Sequence, residues 1–170
     1  MLTAGTRKYL LGIPGVAFLY VRKELADALK PKASAWFGRE NGFDGAYAKG
    51  ARRFQTGTPA FISVYAAAAA LSLLNHIGVS HIRDHVKTIC ADAVQYAAEK
   101  GLQLAAQGGG QPGMVAIRDE RASETAALLK KKKVICAPRE NVIRLAPHFY
   151  NTKEEMRRAI DEIAAKMIHK

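Results

Sequence analysis

Three short segments of the sequence contain residue types that could carry out chemistry on a ligand. In the first, Lys8 lies in the stretch GTRKYLLG, shortly before an apolar run at residues 16–21. A lysine amine becomes a nucleophile when burial or neighbouring cations lower its pKa. Taken alone, a lysine beside an arginine near a terminus is a solvated charge about nine times in ten. The flanking segment, rather than the lysine itself, therefore has to decide its role.

The second segment, residues 52–59, reads RRFQTGTP and places a glycine between two threonines. A glycine at position 57 would let the backbone approach a phosphate closely, and Thr58 could donate hydrogen bonds to it. By local sequence alone, the same residues are simply a turn that precedes a helix. Both interpretations remain open at this point.

The third segment, residues 141–152, reads NVIRLAPHFYNT and places Arg144 in an otherwise apolar strand. The planar guanidinium group can grip a carboxylate with two parallel hydrogen bonds. An arginine in such a strand needs a partner, and an anionic substrate and a structural aspartate are equally good candidates. His148 could contact a nearby site, but a structural histidine with satisfied hydrogen bonds is the favoured interpretation.

These segments, in this order and at this spacing, resemble the class V aminotransferase family and its cysteine desulfurase and selenocysteine lyase relatives. The resemblance covers nearly the whole chain and implies pyridoxal phosphate as cofactor, an amino acid as substrate and no metal. It also implies a homodimer, in which the Gly–Thr pair reaches the cofactor phosphate of the neighbouring subunit. The residues implied are Lys8 as the catalytic and cofactor-holding lysine, Thr6, Arg7, Gly57 and Thr58 as cofactor contacts, and Arg144 as the ligand of the substrate α-carboxylate.

The sequence departs from the family pattern at two places. Desulfurases have a histidine just before the lysine, whereas this chain has Arg7, which could still neutralise a phosphate. Group II desulfurases carry a catalytic cysteine on a loop that is absent or very short here, since only residues 138–140 separate the last two predicted strands. Because Cys136 is predicted to lie within the preceding strand, a persulfide-forming role for it is not favoured.

A larger departure concerns the start of the chain. In the family, the residue that stacks on the cofactor ring, the aspartate at the pyridinium nitrogen and part of the phosphate site belong to an N-terminal portion that precedes the lysine segment. Here Met1 occupies an ordinary apolar position of that segment. We therefore expect a C-terminal segment that is inactive alone and binds the cofactor weakly or not at all. Its expected partners are the missing N-terminal half and a second copy of itself, and transamination, sulfur or selenium β-elimination and epimerisation remain equally open.

The net charge of +11, from 26 Lys and Arg against 15 Asp and Glu, supports a second hypothesis. A non-enzymatic basic module could bind nucleic acid or a protein through residues 130–133 and the arginine pairs at 52–53 and 157–158. The basic residues are scattered and no nucleic-acid-binding signature accompanies them, so nucleic acid is not expected. Residues 9–21 are too short to span a bilayer. Two cysteines on apolar stretches indicate reduced thiols and a cytoplasmic location.

Hydrophobic periodicity predicts an α/β fold. The family resemblance implies that it is the C-terminal part of a fold-type I pyridoxal-phosphate-dependent transferase. Residues 1–62 would be a remnant of the large cofactor-binding domain, residues 63–79 a connecting helix and residues 80–170 a small α/β domain. The apolar strand at 16–21 is expected to be fully buried, and the alanine-rich helix at 61–77 to be buried on all sides or to connect two bodies. The other predicted elements are a helix from an N-cap at Ser80 to Gly101, strands at 102–106 and 114–117 around a turn, a helix at 123–133, strands at 134–137 and 142–145, and a last helix that begins with a Thr152–Glu155 capping box.

Overall fold

The computed structural model describes residues 1–42, 45–105 and 113–168 of the chain. It divides into two compact units, Met1–His76 and Ile77–Lys170. The predicted turn between residues 107 and 113 lies mostly outside the described residues. The elements are β1 (Leu2–Gly5), β2 (Ala17–Tyr20), α1 (Lys23–Ala28), 3-10 turns at Trp36–Gly38 and Gly50–Phe54, α2 (Phe61–Ile77), α3 (Val79–Glu99), β3 (Val115–Arg118), α4 (Ala122–Lys131), β4 (Ala137–Arg139), β5 (Val142–Leu145) and α5 (Lys153–Ile168).

In the first unit, β1 and β2 pair in antiparallel register, with Leu2 opposite Tyr20 and Gly5 opposite Ala17. The predicted strand exists, but the prediction that it is fully buried is wrong. Phe18 is 42% exposed and Tyr20 is 60% exposed. Among the described residues β2 pairs with β1 alone, and a two-stranded ladder buries little surface by itself.

Arg53 stabilises the segment between α1 and α2 through hydrogen bonds and a salt bridge. Its guanidinium donates hydrogen bonds to the carbonyl oxygens of Asp27 (2.9 Å), Leu29 (3.1 Å) and Ala48 (3.1 Å). It also forms a salt bridge with the Asp27 carboxylate at 3.2 Å. Because these four contacts use its donors, the buried Arg53 is a structural arginine that joins the end of α1 to the second 3-10 turn.

Helix α2 has the bounds that the sequence predicts, but in this chain it is not buried on all sides. Ile62 is 80% exposed and Tyr65 is 76% exposed. The buried positions Ser63, Ala67 and Leu74 recur at intervals of four and seven residues, which places them on one face of the helix. Within the described residues, no single helix is both long and apolar enough to cross a membrane.

The second unit is an antiparallel three-stranded sheet in the order β3-β5-β4, with α3, α4 and α5 packed on one face. Successive side chains of a strand point to opposite faces of the sheet. Those that point toward the helices are Val115, Ile117, Ile143 and Leu145. The core also contains Ile89, Ala93 and Ala97 of α3, Leu129 of α4, and Met156, Ile160 and Ile163 of α5.

The predicted strand at 102–106 and two predicted boundaries in this unit are wrong. The described residues of that segment form an isolated bridge, Leu104 to Ile117, rather than a strand. Helix α3 begins directly after Gly78, which has a φ of 93°, and no side chain caps it, so Ser80 is not its N-cap. Strand β4 begins at Ala137 rather than at residue 134. The chain first has to leave α4, since the N–H of Val134 donates to the Leu129 carbonyl and Lys133 adopts a φ of 63°. This C-terminal turn includes Val134, so the strand cannot begin at that residue.

The capping box at the start of α5 is confirmed. The Thr152 hydroxyl accepts the N–H of Glu155 at 3.2 Å, and the Glu155 carboxylate accepts the N–H of Thr152 at 3.0 Å. The apolar side of α5 packs into the core. Two polar contacts join α5 to α3: Arg157 binds both carboxylate oxygens of Asp92 at 2.9 and 2.7 Å, and the Tyr96 hydroxyl donates to Asp161 at 2.9 Å.

Replacing Thr152 with alanine removes one half of the capping box. We expect Thr152→Ala to lower the free energy of unfolding by about 1 kcal/mol, as is usual for the loss of an N-cap hydroxyl. Urea unfolding followed by circular dichroism measures this change. Thr88→Ala is the matched control, because Thr88 lies exposed within α3 and its hydroxyl donates only to the Asp84 carbonyl. Equal stabilities of the two variants would contradict a stabilising role for the box.

Candidate active site

Lys8 lies in the loop of residues 6–16 that joins β1 to β2. Two main-chain hydrogen bonds close this loop, from the N–H of Leu11 to the Lys8 carbonyl (2.9 Å) and from the N–H of Gly12 to the Thr6 carbonyl (2.8 Å). Leu11 adopts a φ of 55°, an uncommon value for a residue with a side chain. The turn thus has a defined backbone, and Lys8 is exposed on it.

Thr6 holds the base of this loop together. Its buried hydroxyl donates to the Val16 carbonyl at 2.9 Å and lies 3.3 Å from the Ile13 carbonyl. Gly12 packs directly against it, since a Cβ there would lie 2.9 Å from the Thr6 Cβ. Because the hydroxyl proton is used inside the loop, Thr6 positions the lysine turn, and its direct contact with a cofactor stays a prediction.

The loop docks on the first turn of α2. The Ser63 hydroxyl donates to the Pro14 carbonyl at 2.7 Å. Gly15 adopts a φ of 109°, and a Cβ there would lie 2.9 Å from the Ser63 oxygen, so the contact also requires a glycine. Since residues 56–59 directly precede α2, the lysine loop and the TGTP segment meet at the same end of one helix. Sequence reasoning missed Ser63, although a serine in the apolar start of α2 is a visible signal.

Gly57 and Thr58 are exposed, and no contact with the described residues accounts for the glycine. A Cβ at position 57 would meet no atom within 4 Å, and its backbone is not in the left-handed region. The Gln55 amide donates to the Gly57 carbonyl at 2.7 Å and fixes the turn. Neither the backbone conformation nor packing therefore requires a glycine here. The absence of a side chain would, however, let an external group approach the main chain closely.

Arg144 lies in the second unit, on the central strand of the sheet and on the face opposite the helices. Its Cα partners are Ala116 on β3 and Ala137 on β4, so small side chains flank it on both sides. The residue is partly buried, and its Nε atom is buried with no hydrogen-bond partner among the residues that the structure describes. Within the described part of the chain, no carboxylate forms a salt bridge with Arg144. The alternative of a structural aspartate partner therefore has no support among these residues.

Two further residues that sequence reasoning considered have structural roles. His148 is buried, its Nδ1 accepts the N–H of Phe149 at 2.8 Å, and its ring stacks on Tyr150 with centroids 5.2 Å apart. Cys136 lies before β4 rather than within a strand. Desolvation by burial raises the pKa of its thiol, which keeps it protonated and a poor nucleophile.

The sequence profile of class V aminotransferases matches residues 1–158 of the chain. This chain belongs to the class V aminotransferase family. The match spans the lysine loop, the TGTP segment and β5. Family membership links these segments to enzymes that use pyridoxal phosphate, and the family resemblance drawn from the three segments is confirmed.

Among curated relatives, the chain is 95% identical to an uncharacterized aminotransferase, YcbU, of Bacillus subtilis over 171 aligned residues. It is 30% identical to kynureninase 1 of Neurospora crassa, in an alignment that covers 84% of the chain. The chain spans 46% of the first relative and 36% of the second. These relatives are thus at least twice as long as the chain.

Solved structures of two cysteine-metabolising enzymes share the fold. The cysteine desulfurase of Thermococcus onnurineus superposes with a TM-score of 0.86 at 19% identity, over 99% of this chain and 47% of its own. The cystine C-S lyase C-DES, in complex with cysteine persulfide, gives a TM-score of 0.82 at 20% identity, over 92% of this chain and 44% of its own. The predicted fold class, part of a fold-type I enzyme, is therefore correct.

The Ser63 hydroxyl is expected to control how firmly the lysine loop is held. We expect Ser63→Ala to leave the Pro14 carbonyl without its partner and to cost about 1 kcal/mol of local stability. Hydrogen exchange should then accelerate at the amides of Leu11 and Gly12, which close the loop. Ser72→Ala, at an exposed position of the same helix, should leave these rates unchanged. Unchanged exchange at Gly12 in Ser63→Ala would show that this contact does not order the loop.

Proposed function

We propose that this chain supplies the lysine and the carboxylate-binding arginine of a pyridoxal-phosphate-dependent enzyme that acts on an amino acid. When bound, pyridoxal phosphate supplies the electron sink that makes the α-proton of an amino acid removable. In this proposal the Lys8 amine holds the cofactor and then accepts that proton. Arg144 binds the α-carboxylate, and Arg7, Gly57 and Thr58 contact the phosphate.

The observation that carries this proposal is the unpartnered Nε of Arg144. A buried donor without a partner costs about 1–3 kcal/mol, so such a group calls for an anion from outside the described residues. A carboxylate suits the flat guanidinium, because two parallel hydrogen bonds can form. Within the first unit, the exposed Lys8 on a closed turn suits attachment of the cofactor, and the open space at Gly57 suits approach of a phosphate.

In this proposal, the reaction type depends on groups that precede the lysine segment in the family. Transamination, β-elimination of sulfur or selenium, and epimerisation all begin with removal of the α-proton. The ring-stacking group and the partner of the pyridinium nitrogen belong, by the family resemblance, to a preceding portion of the enzyme. We therefore propose that the 170 residues are inactive alone and bind the cofactor weakly.

The contacts of the basic residues argue against the alternative function, a basic module that binds nucleic acid or a protein. Arg53 is buried in an internal network, and Arg157 binds Asp92 at two atoms. The Lys132 amine binds Glu162, and Arg158 donates to the Lys132 carbonyl. These side chains are engaged within their own units and are not presented together to a polyanion.

A cytoplasmic location is part of the proposal. Cys90 and Cys136 form no disulfide, and burial raises the pKa of both thiols. Protonated thiols of this kind suit a reducing compartment.

Cofactor attachment can be tested by incubating the chain with pyridoxal phosphate, reducing with borohydride and mapping modified lysines by mass spectrometry. In the 170-residue chain we expect labelling to be spread over exposed lysines. In a chimera that adds the first half of the Bacillus subtilis relative before residue 1, we expect Lys8 to become the dominant site, because the chimera supplies the missing cofactor contacts.

In the same chimera, Lys8→Ala should abolish the dominant label, whereas Lys131→Ala, at an exposed position of α4, should not. Two results would contradict the proposal. Dominant labelling of Lys8 in the 170 residues alone would show that the chain completes its own site. A chimera labelled equally at many lysines would remove Lys8 from the mechanism.

We further propose that the chain self-associates through the region around residues 56–65. Ile62 and Tyr65 are large, apolar and highly exposed, and they directly follow the TGTP segment that the family places at its dimer interface. Exposed apolar patches of this kind commonly mark interfaces, and two-fold pairing is the usual arrangement. Sedimentation velocity should show a dimer at micromolar concentration.

Ile62→Glu should shift the chain toward monomer, because it would bury two carboxylates in the contact. Ile135→Glu is the matched control, since Ile135 is 86% exposed and lies in the other unit. A monodisperse monomer for the unchanged chain at high concentration would refute the proposed contact.

A further inference from the structure

The face of the sheet that bears Arg144 carries two more arginines. In the register of the sheet, Arg118 on β3 and Arg139 on β4 are both Cα partners of Val142 on β5. Cα partners in an antiparallel sheet point to the same side, and Val142 points to the same side as Arg144, two residues further along. Three arginines therefore share one face of this small sheet.

The spacing of these residues lets their side chains converge. Arg118 and Arg139 lie about 10 Å apart, across two strand spacings, and Arg144 lies about 7 Å along β5 from the Val142 between them. The neighbours of Arg144, Ala116 and Ala137, are too small to separate the long side chains. The three groups thus border one shallow area over Val142.

No internal counter-ion neutralises this area among the residues that the structure describes. None of the three arginines forms a salt bridge with a carboxylate in residues 1–42, 45–105 or 113–168. Arg139 donates only to the carbonyl oxygen of its neighbour Pro138, at 2.8 Å, and the Nε of Arg144 has no partner. Residues 106–112, which precede β3 and are not described, contain no Asp or Glu. Positive charges that share one face repel each other, and an anion that binds between them removes this repulsion.

We propose that this face binds two anionic groups of one ligand, with Arg144 holding the α-carboxylate and Arg118 and Arg139 holding a second anionic group on the side chain. The substrate class is then an amino acid with an acidic side chain. This inference rests on the role of Arg144 given under the proposed function, and it adds two specificity-determining residues that the family resemblance did not supply. An acidic segment of another protein is the competing occupant, but the buried Nε of Arg144 favours a small ligand that can enter between the side chains.

The test compares L-glutamate with L-glutamine, which have nearly the same shape and differ in side-chain charge. Binding to the isotope-labelled 170-residue chain is followed by nuclear magnetic resonance at the amides of β3, β4 and β5. We expect glutamate to bind roughly tenfold more tightly than glutamine, as a charge-assisted hydrogen bond would give. Arg118→Gln and Arg139→Gln should each reduce that preference, and Arg144→Gln should weaken both ligands.

Lys131→Gln is the control for overall charge, because it removes one positive charge at an exposed position of α4, and it should leave the preference intact. Equal affinities for the two ligands, no binding of either, or a preference that survives in the Arg118→Gln/Arg139→Gln double variant would each overturn the inference. Tight binding of an acidic peptide without a glutamate preference would assign the face to a protein partner and overturn it as well. None of these measurements involves Lys8 or the cofactor, so their outcome is separate from that of the labelling experiment.

Discussion

The four residues of strand β5 form one face that is buried in the core and one face that carries an arginine. Ile143 and Leu145 fill the core beneath three helices, while Val142 and Arg144 stand on the opposite face. A shift of one residue would place a guanidinium in the core and two large apolar side chains in water. The two outer strands are fixed by the same register, which is why Ala116 and Ala137 flank the arginine. The geometry of the charged face is thus a consequence of how the core is packed.

The helices on the other face are joined to each other by polar contacts. Arg157 on α5 binds Asp92 on α3 with two hydrogen bonds, and the pKa of the Asp92 carboxyl is lowered chiefly by these bonds. The pKa of Asp161 is lowered in the same way, chiefly by Lys100 and with a smaller contribution from the Tyr96 hydroxyl. A carboxyl whose pKa is lowered on folding stabilises the folded state above its unfolded pKa, and this contribution is lost as the pH falls through the folded value. The second unit should therefore weaken in acid, although these exposed pairs contribute little each.

In the first unit, side-chain hydrogen bonds hold a loop in place. Residues 6–16 contain no regular element, yet the Thr6 and Ser63 hydroxyls bind three of the loop's carbonyl oxygens, and two glycines permit the close contacts. Small polar side chains that bind main-chain carbonyls restrict a loop without adding bulk near a ligand. In the same unit, β2 and α2 expose large apolar side chains, which are the surfaces on which the proposed self-association rests.

The sequence by itself determined the family, the three segments on which the site proposal rests, the α5 capping box and the exact bounds of α2 and β5. These features depend on local periodicity or on motifs of a few adjacent residues, which a sequence displays directly. It could not determine that β2 and α2 are largely exposed, because burial depends on which surfaces the rest of the molecule provides. It also placed the start of β4 three residues too early, since the exit turn of α4 competes with strand propensity for the same residues. Only the tertiary structure decided that Ser63 holds the lysine loop and that Arg118, Arg139 and Arg144 share one face. Those contacts join residues that are distant in sequence, and strand register, which no single segment encodes, brings the arginines together.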